Sequence, residues 1–149
     1  MTKKNIKVKL DKGAYMPERA HEHDAGLDIR TPVRVCVYPG ENCVIETGVH
    51  VAIPEGYVGM IKSKSGINFK KHCICEGVID AGYTGQIQVK MYNLSPLAHV
   101  DCYKPVVTFE PGDKIAQLVI MPIETPGVTV VSDLEDTERG DNGFGSTGK

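Results

Sequence analysis

Residues 77–91 read GVIDAGYTGQIQVKM, and this stretch predicts an all-β protein. Ile87, Val89 and Met91 alternate with polar side chains, a period that places one face of a strand on a core and the other in water. Residues 77–85 predict a strand, a tight turn at Ala81-Gly82 and the start of a second strand. The stretch therefore predicts a hairpin whose turn carries Asp80, with Tyr83 three residues further on.

The same period of two recurs along the chain, at Ile6 to Leu10, Val33 to Val37 and Val128 to Val131. Longer apolar strands are predicted at Val49–Ile53, Tyr57–Ile61 and Ile115–Ile120, with Gly and Pro turn signals between them. Residues 67–72 alone favour a short helix. The predicted fold is a jelly-roll-like β-sandwich or distorted barrel with at most one short helix.

The pattern fails after residue 131, which divides the chain into a β domain over 1–131 and an arm over 132–149. The arm is first acidic and polar and then rich in glycine, so it has no core of its own. We expect it to become ordered only on a ligand or on a neighbouring subunit.

Composition excludes several classes of protein. The chain has 149 residues, a net charge of −2, 41% hydrophobic and 24% charged residues, which fit one soluble domain without a basic field for nucleic acid. No apolar run is long enough for a membrane span, and Met1 to Asn5 lack the apolar core of a signal peptide, so we expect a cytoplasmic protein, or one of the host cytoplasm if the source is viral. Five cysteines, an odd number, favour reduced thiols, and Cys73-x-Cys75 is typical of strand residues rather than of a zinc site.

The tail from Arg139 to Gly148 has the parts of a nucleotide-binding segment. Phe144 offers a flat face for a base, Gly145 and its neighbours let the backbone approach a ligand, and Arg139, Ser146 and Thr147 can bind phosphate oxygens. A loose glycine-rich terminus is the alternative.

Four internal segments also carry candidate residues, each with a structural alternative, and a fifth segment carries a weak metal signal. Asp80 can accept a proton from water or cap its turn. Ser63 to Gly66 form a phosphate-binding set or a solvated loop. Gln117 and Asp28 are polar side chains inside apolar strands and must find partners; a satisfied structural carboxylate explains Asp28. The pattern His21-x-His23-Asp24 is a weak metal signal in a polar loop.

Taken in order, these segments resemble the five motifs of the trimeric dUTP pyrophosphatases (dUTPases). The resemblance extends from about Ile6 to the end of the chain, and the third and fifth motifs are the most specific. The segments are residues 25–29, 64–66, 77–85, 112–117 and 139–148.

The resemblance implies Mg²⁺-dependent hydrolysis of dUTP to dUMP and pyrophosphate, which limits uracil in DNA and supplies dUMP for thymidylate synthesis. Asp80 matches the carboxylate that activates water for in-line attack on the α-phosphorus. The ion is held by the phosphates and by water rather than directly by protein. Asp28 matches a carboxylate that either supports the metal site indirectly or is structural.

The remaining residue roles are also implied by the resemblance. Tyr83 lies under the deoxyribose and sterically excludes a 2′-hydroxyl. The backbone at Gly77, Val78 and Ile79 pairs with uracil. Phe144, next to Gly145, stacks on the uracil ring. The residues matching the phosphate site are Lys64, Ser65, Gly66, Gln117, Arg139, Ser146 and Thr147.

The resemblance further implies a homotrimer with C3 symmetry. Each active site takes motifs one, two and four from one subunit, motif three from another, and motif five from an exchanged C-terminal arm. The chain departs from the family pattern at Lys64, where arginine is usual, and at Asn142, where glycine is common. Leu94 to Glu110 is longer than in compact members and predicts an extended hairpin, with His99, Cys102 and Tyr103 as a surface for an additional protein partner.

Two alternative functions remain open. The dCTP deaminases share the fold, although the uracil-type third motif and the complete fifth motif favour a dUTPase. Some family members, notably viral ones, act as nucleotide-sensing partners of other proteins.

Overall fold

The computed structural model describes residues 5–96 and 106–142, and strands dominate this part of the chain. The one helix found there, α1, begins at Ser65, two residues before the predicted start, and ends at Lys71. His72 follows in the left-handed conformation, with φ 53°, and stops the helix. The strands are β1 (Lys7–Leu10), β2 (Gly26–Arg30), β3 (Val35–Val37), β4 (Asn42–Ala52), β5 (Tyr57–Lys62), β6 (Cys73–Ile74), β7 (Glu76–Ile79), β8 (Gln86–Asn93), β9 (Val107–Phe109) and β10 (Lys114–Pro122).

The strands form two four-stranded antiparallel sheets and one small two-stranded sheet. The strand orders are β1-β4-β8-β6, β2-β10-β5-β7 and β3-β9. The sheets formed by the described strands are open, so the predicted all-β sandwich is confirmed and the barrel form is not.

The core lies between the inner faces of the sheets. Ile87, Val89 and Met91 are at most 2% exposed, whereas the residues that alternate with them face outward. Phe109 and Leu118 complete the centre from other strands. Burial of each such side chain contributes roughly 1.5–3 kcal/mol, which makes the alternation of β8 a strong determinant of its register.

The predicted hairpin over residues 77–91 is wrong. β7 pairs with β5 in one sheet, whereas β8 pairs with β4 and β6 in the other. The predicted turn is present: the Tyr83 N–H donates to the Asp80 carbonyl over 3.2 Å, and Gly82 has φ +90°. The connection is thus a corner between sheets, because a local turn signal does not specify which strand each arm will pair with.

The strand predicted around Val128 is also wrong. β10 ends at Pro122, residues 123–142 form no helix or strand, and Val128 and Val130 are each 95% exposed. Alternation supports a strand only where a neighbour accepts its hydrogen bonds, and the described part of this chain provides none for this segment. The division of the chain at residue 131 stays a prediction.

The insertion Leu94 to Glu110 is described only at its two ends. Its second flank forms β9, which pairs with β3, and the predicted extended hairpin lies in the part of the insertion outside the described residues. His99, Cys102 and Tyr103 lie outside the described residues. Cys73 lies in β6 and Cys75 follows it, both buried as expected of strand residues. None of the described residues forms a helix both long and apolar enough to cross a membrane.

Candidate functional site

A buried carboxylate on β2 brings three distant segments of sequence together. Asp28 is 4% exposed, and its Oδ1 accepts a hydrogen bond from Lys64 Nζ. Lys114 Nζ lies 2.6 Å from the other oxygen, Oδ2. Lys64 directly follows the loop after β5, and Lys114 opens β10. Both oxygens of Asp28 therefore have partners, as expected of a polar side chain in an apolar strand, and its role as a structural carboxylate or an indirect support of the metal site stays a prediction.

The electrostatics of this cluster favour an anion. Burial opposes ionisation of Asp28, but the hydrogen bonds and positive charges of Lys114 and Lys64 outweigh it, so the pKa of Asp28 is lowered. The two ammonium groups and the Asp28 carboxylate together carry a net charge of +1. Asp24, which also lines the cavity, is partly exposed and bonded to His21, and it brings the formal charge of the whole lining to zero. Each ammonium has three donors, so both lysines keep donors available for a ligand after binding Asp28.

Gln117 lies beside this cluster because β10 is irregular. Gln117 is paired with Asp28, and its Nε2 donates to the Ser63 carbonyl over 3.0 Å. In a regular strand Lys114 and Gln117 lie on opposite faces. The register between β10 and β2 shifts between Lys114 and Ala116, and this bulge lets both residues reach the same cavity.

The cavity has a volume of about 280 Å³ and a polar lining. Gly26 leaves the space for the Gln117 side chain, since an added Cβ would lie 2.3 Å from Gln117 Oε1. The sequence predicted Asp28, Lys64 and Gln117 as site residues but missed Lys114, although it stands in the same motif as Gln117. The lining residues are Ala20, Asp24, Ala25, Gly26, Asp28, Lys64, Lys114 and Gln117.

Ser65 and Gly66 form the first turn of α1, next to this cavity in sequence. Both are exposed, and first-turn N–H groups have no acceptor within their own helix. Ser63 is different, because its hydroxyl donates to the Cys75 carbonyl and accepts from the Cys75 N–H. Of the two predicted phosphate-binding hydroxyls, only that of Ser65 is therefore available.

Asp80 lies at the end of β7, where the turn begins, and is exposed. None of the described residues hydrogen-bonds to its carboxylate or forms an ion pair with it, so the carboxylate does not cap the turn. Tyr83 is 49% exposed, and its hydroxyl donates to the Gln86 carbonyl over 3.0 Å. An acid and an aromatic ring are thus both presented on the corner between the sheets.

Gly77, Val78 and Ile79 belong to a strand with only one partner in the described chain. β7 is the last strand of its sheet and pairs with β5 alone. Ile79 is buried and anchors the strand, whereas Val78 is 61% exposed. Half of the backbone N–H and C=O groups of such an edge strand point away from its partner, where they can pair with a flat polar ligand.

Within one chain, the corner is far from the cavity. Asp28, Gln117, Lys62 and Glu76 lie in one row across the four strands, and Asp80 is four residues beyond that row on the strand furthest from Asp28. With a rise of about 3.3 Å per residue and about 4.8 Å between strands, Asp80 and Asp28 are roughly 20 Å apart. The structure therefore brings motifs one, two and four together but leaves motif three apart.

Motif five is only partly described. Arg139 is exposed, and its Nε donates to the Asn142 carbonyl over 2.9 Å. Phe144, Gly145, Ser146 and Thr147 lie outside the described residues.

Comparison with known proteins decides the family. A family model described as dUTPase matches residues 12–148. The chain belongs to the dUTPase family. A deoxyuridine 5'-triphosphate nucleotidohydrolase of Corynebacterium glutamicum is 40% identical over 145 residues, covering 95% of this chain and 93% of the relative. The enzyme of that name from Cutibacterium acnes is 42% identical over 137 residues, covering 89% of this chain and 85% of its own.

Solved dUTPase structures share the fold over nearly the whole chain. The dUTPase of Staphylococcus bacteriophage 80alpha, solved with dUpNHpp, is 38% identical and superposes with a TM-score of 0.86, covering 99% of this chain and 100% of that one. A mutant dUTPase of the Staphylococcus aureus phage phi11, whose structure describes the coordination of a structural Mg(II) ion, is 37% identical with a TM-score of 0.78 and covers 89% of this chain and 100% of that one.

Proposed function

We propose that this protein hydrolyses dUTP to dUMP and pyrophosphate. The observation that carries the proposal is the polar cavity in which Asp28, Lys64, Lys114 and Gln117 meet, with an ammonium group on each oxygen of the Asp28 carboxylate. These residues come from three of the motifs whose order resembles the dUTPases. Family membership and the dUpNHpp complex of the phage 80alpha enzyme support the same substrate.

The cavity is the proposed phosphate side of the site. Lys64 and Lys114 neutralise part of the triphosphate charge, and the Gln117 amide and the Gly66 N–H add hydrogen bonds. Ser65 donates to the oxygen that bridges the α- and β-phosphates, where negative charge grows as the bond breaks. Asp28 acts through the two lysines, since its oxygens are already bonded to them.

Asp80 is the proposed general base. It takes a proton from a water molecule, whose oxygen attacks the α-phosphorus, and the bond from that phosphorus to the bridging oxygen breaks. The products are dUMP and pyrophosphate. Its free, exposed carboxylate suits this role, and most of the rate then comes from placement and charge compensation.

The open side of β7 is the proposed site for the base. Backbone groups of Gly77, Val78 and Ile79 pair with the uracil edge, and cytosine, with the opposite pattern of donors and acceptors, leaves buried groups unpaired. Such a mismatch is worth a factor of about 10⁴. Tyr83 lies under the deoxyribose and excludes a 2′-hydroxyl. Phe144 stacks on uracil, with Gly145 beside it.

The distance between Asp80 and the cavity supports a site shared between subunits. A base that acts on a water at about 3 Å cannot serve a phosphate roughly 20 Å away. A second copy must then supply Asp80, and head-to-tail contacts that close after three steps give a C3 trimer. The arm from 132 to 149 reaches a further copy, where Arg139, Ser146 and Thr147 close over the β- and γ-phosphates.

Magnesium is the proposed cofactor. In the cavity lining, Asp28 is already bonded to Lys64 and Lys114, and Asp24 accepts a hydrogen bond from the His21 N–H, so the lining presents few free carboxylate oxygens to a metal ion. These residues fit an ion that is bound through phosphate oxygens and water, as Mg²⁺ prefers. When bound, it shields the charge of the pyrophosphate leaving group.

Substrate profiling tests the proposal directly. Purified protein is incubated with Mg²⁺ and dUTP, dCTP, dTTP or UTP, and both pyrophosphate and ammonia are measured. We expect pyrophosphate from dUTP alone and no ammonia. Ammonia from dCTP would instead indicate the deaminase, and the absence of dUTP cleavage would refute the proposal. In a cell this activity keeps uracil out of DNA and supplies dUMP, consistent with a cytoplasmic enzyme.

A further inference from the structure

We infer that His50 is a positioning residue for the proposed reaction: its doubly protonated ring holds the turn that carries Asp80 and Tyr83 by donating to the Thr84 carbonyl. The inference rests on the proposed function, because that function gives the turn its importance. His50 lies on β4, outside all five motifs.

Both ring nitrogens of His50 face hydrogen-bond acceptors. Nδ1 lies 2.9 Å from the Thr84 carbonyl oxygen, and Nε2 lies 3.0 Å from Oδ2 of Asp11. A carbonyl and an ionised carboxylate cannot donate, and a neutral imidazole carries only one N–H. Both contacts are therefore hydrogen bonds only when the ring is an imidazolium. The His50 side chain is 18% exposed, whereas that of its partner Asp11 is 45% exposed.

The surrounding charges favour this protonated form. The hydrogen bond to Asp11 and then that to Thr84 raise the pKa of His50, while the positive charge of Lys9 opposes the rise. Lys9 Nζ is 3.8 Å from the Asp11 carboxylate, and the neighbouring strand β8 contributes the neutral Gln86 opposite His50. The imidazolium thus persists to higher pH than an ordinary histidine. Above the raised pKa the ring keeps one N–H, and the charged Asp11 carboxylate is a stronger acceptor than the Thr84 carbonyl, so the N–H stays on Nε2 and the bond to Thr84 is lost.

A bulge in β4 fixes the place of the ring. Gly48 has φ +67°, its N–H donates to Gln86 Oε1 over 2.7 Å, and its carbonyl accepts from the Asp11 N–H over 2.8 Å. An added Cβ at Gly48 would lie 2.8 Å from the Ala14 Cβ. The same bulge therefore determines the positions of both His50 and its partner Asp11.

The Thr84 carbonyl matters because the next residue is Gly85. An added Cβ at Gly85 would lie 2.4 Å from the Tyr83 hydroxyl oxygen, so the ring can fold back over this position only if it is glycine. Glycine is also the residue with the freest backbone. The hydrogen bond to the Thr84 carbonyl fixes the peptide between Thr84 and Gly85 and so limits rotation of the backbone at Gly85. Such rotation would move Tyr83, which is the residue proposed to discriminate dUTP from UTP.

Three variants and one control test this role. His50→Leu removes both donors. His50→Asn keeps an amide N–H at the position of Nδ1 and does not titrate. Asp11→Asn removes the carboxylate that favours the imidazolium. His23→Asn, at an exposed position in the loop before β2, is the matched control. For each protein, kcat and KM for dUTP and UTP are measured from about pH 6 to about pH 9, around the ordinary histidine range. NMR follows the His50 ring and the relaxation of the Thr84 and Gly85 amides in parallel.

We expect the preference for dUTP over UTP in the wild type to fall about tenfold as His50 loses its proton, the effect of one charge-assisted hydrogen bond. His50→Leu should show the lower preference at every pH, His50→Asn should keep the higher one without this pH dependence, and Asp11→Asn should move the fall to lower pH. The Thr84 and Gly85 amides should become mobile over the same pH range.

Two results would overturn the inference. One is a preference in His50→Leu equal to that of the wild type, with dUTP hydrolysis intact. The other is relaxation of the Thr84 and Gly85 amides that does not change when His50 loses its proton. The NMR measurements do not require enzymatic activity. If the protein did not cleave dUTP, the proposed function would be refuted, and the NMR data would still test the hydrogen bond between His50 and the Thr84 carbonyl.

Discussion

A site divided between chains predicts a specific pattern of complementation. Ser65→Ala leaves Asp80 intact but removes the proposed donor to the bridging oxygen, at a cost of about 10²–10³ in rate. Asp80→Asn leaves the cavity intact but removes the proposed base, at a cost of about 10²–10⁴. Each variant alone should therefore be nearly inactive as a trimer.

The hybrid trimer has a calculable activity. Because Asp80 and Asp28 are roughly 20 Å apart within one chain, the proposed site takes Ser65 from one copy and Asp80 from the next. In any trimer that contains both variants, there is one place in the ring where a copy with an intact Ser65 is followed by a copy with an intact Asp80. Each hybrid trimer therefore has one complete active site. Every such hybrid should then retain about one-third of the wild-type turnover per trimer.

The assay uses two affinity tags, one on each variant. The proteins are co-expressed, hybrids are isolated by purification on both tags in turn, and pyrophosphate release from dUTP is measured per trimer after size-exclusion chromatography. The matched control is a hybrid of wild type with the double variant Ser65→Ala/Asp80→Asn. If each active site lay within one chain, the hybrid of Ser65→Ala with Asp80→Asn would be inactive. The control hybrid would then have one or two active sites, one for each wild-type chain. That outcome would refute the shared site.

Three further outcomes are expected. Asp28→Asn leaves two lysines without their carboxylate and should cost about 2 kcal/mol in the free energy of unfolding, less than a fully buried pair because both lysines are partly exposed. Folding lowers the pKa of Asp28, so the contribution of Asp28 to stability is present above about pH 4 and is lost as pH falls through the pKa of the folded state. The melting temperatures of wild type and Asp28→Asn, measured between about pH 5 and pH 2, should therefore converge as pH falls. Gly26→Ala places a Cβ 2.3 Å from Gln117 Oε1 and 2.9 Å from Gln117 Cβ in a buried strand, so it should displace the Gln117 amide, lower kcat/KM about tenfold and lower the melting temperature; Gly127→Ala, which meets no atom within 4 Å, should change neither quantity. Deleting residues 139–149 should lower turnover about 100-fold or more and leave the trimer intact on size-exclusion chromatography; a truncated protein that still cleaves dUTP well would contradict the closing role of the arm.

The parts of the fold that the sequence predicted are those that local chemistry determines. The alternation in β8 has one arrangement that buries Ile87, Val89 and Met91, and the structure adopts it. The Ala81-Gly82 turn is likewise local, since Gly82 takes the positive φ that the turn needs. Neither signal contains the partner of the strand, which is why the connection after β7 was predicted as a hairpin and is a corner between sheets.

The errors share a physical cause. Val128 and Val130 have the pattern of a strand, but none of the described strands pairs with them, and both are exposed. Lys114 was missed because regular alternation places it on the face opposite Gln117, and only the bulge before Ala116 allows both to reach one cavity. Pairing partners and register shifts depend on contacts far apart in sequence, and a short window of residues does not contain them.

The substitution of lysine for the usual arginine at position 64 is better understood through Asp28 than through phosphate. An arginine fork would bind a carboxylate or a phosphate with two parallel bonds, whereas a lysine offers a single charge with three donors. In this chain Asp28 is already bonded to two ammonium groups, one on each oxygen, so its acceptors do not require a fork. Lys64 can therefore keep Asp28 charged and still direct an N–H into the cavity. With lysine at position 64 the chain lacks the fixed geometry of a second parallel bond. This difference acts on the proposed phosphate contact and not on Asp80, the proposed general base, which lies on a different part of the fold.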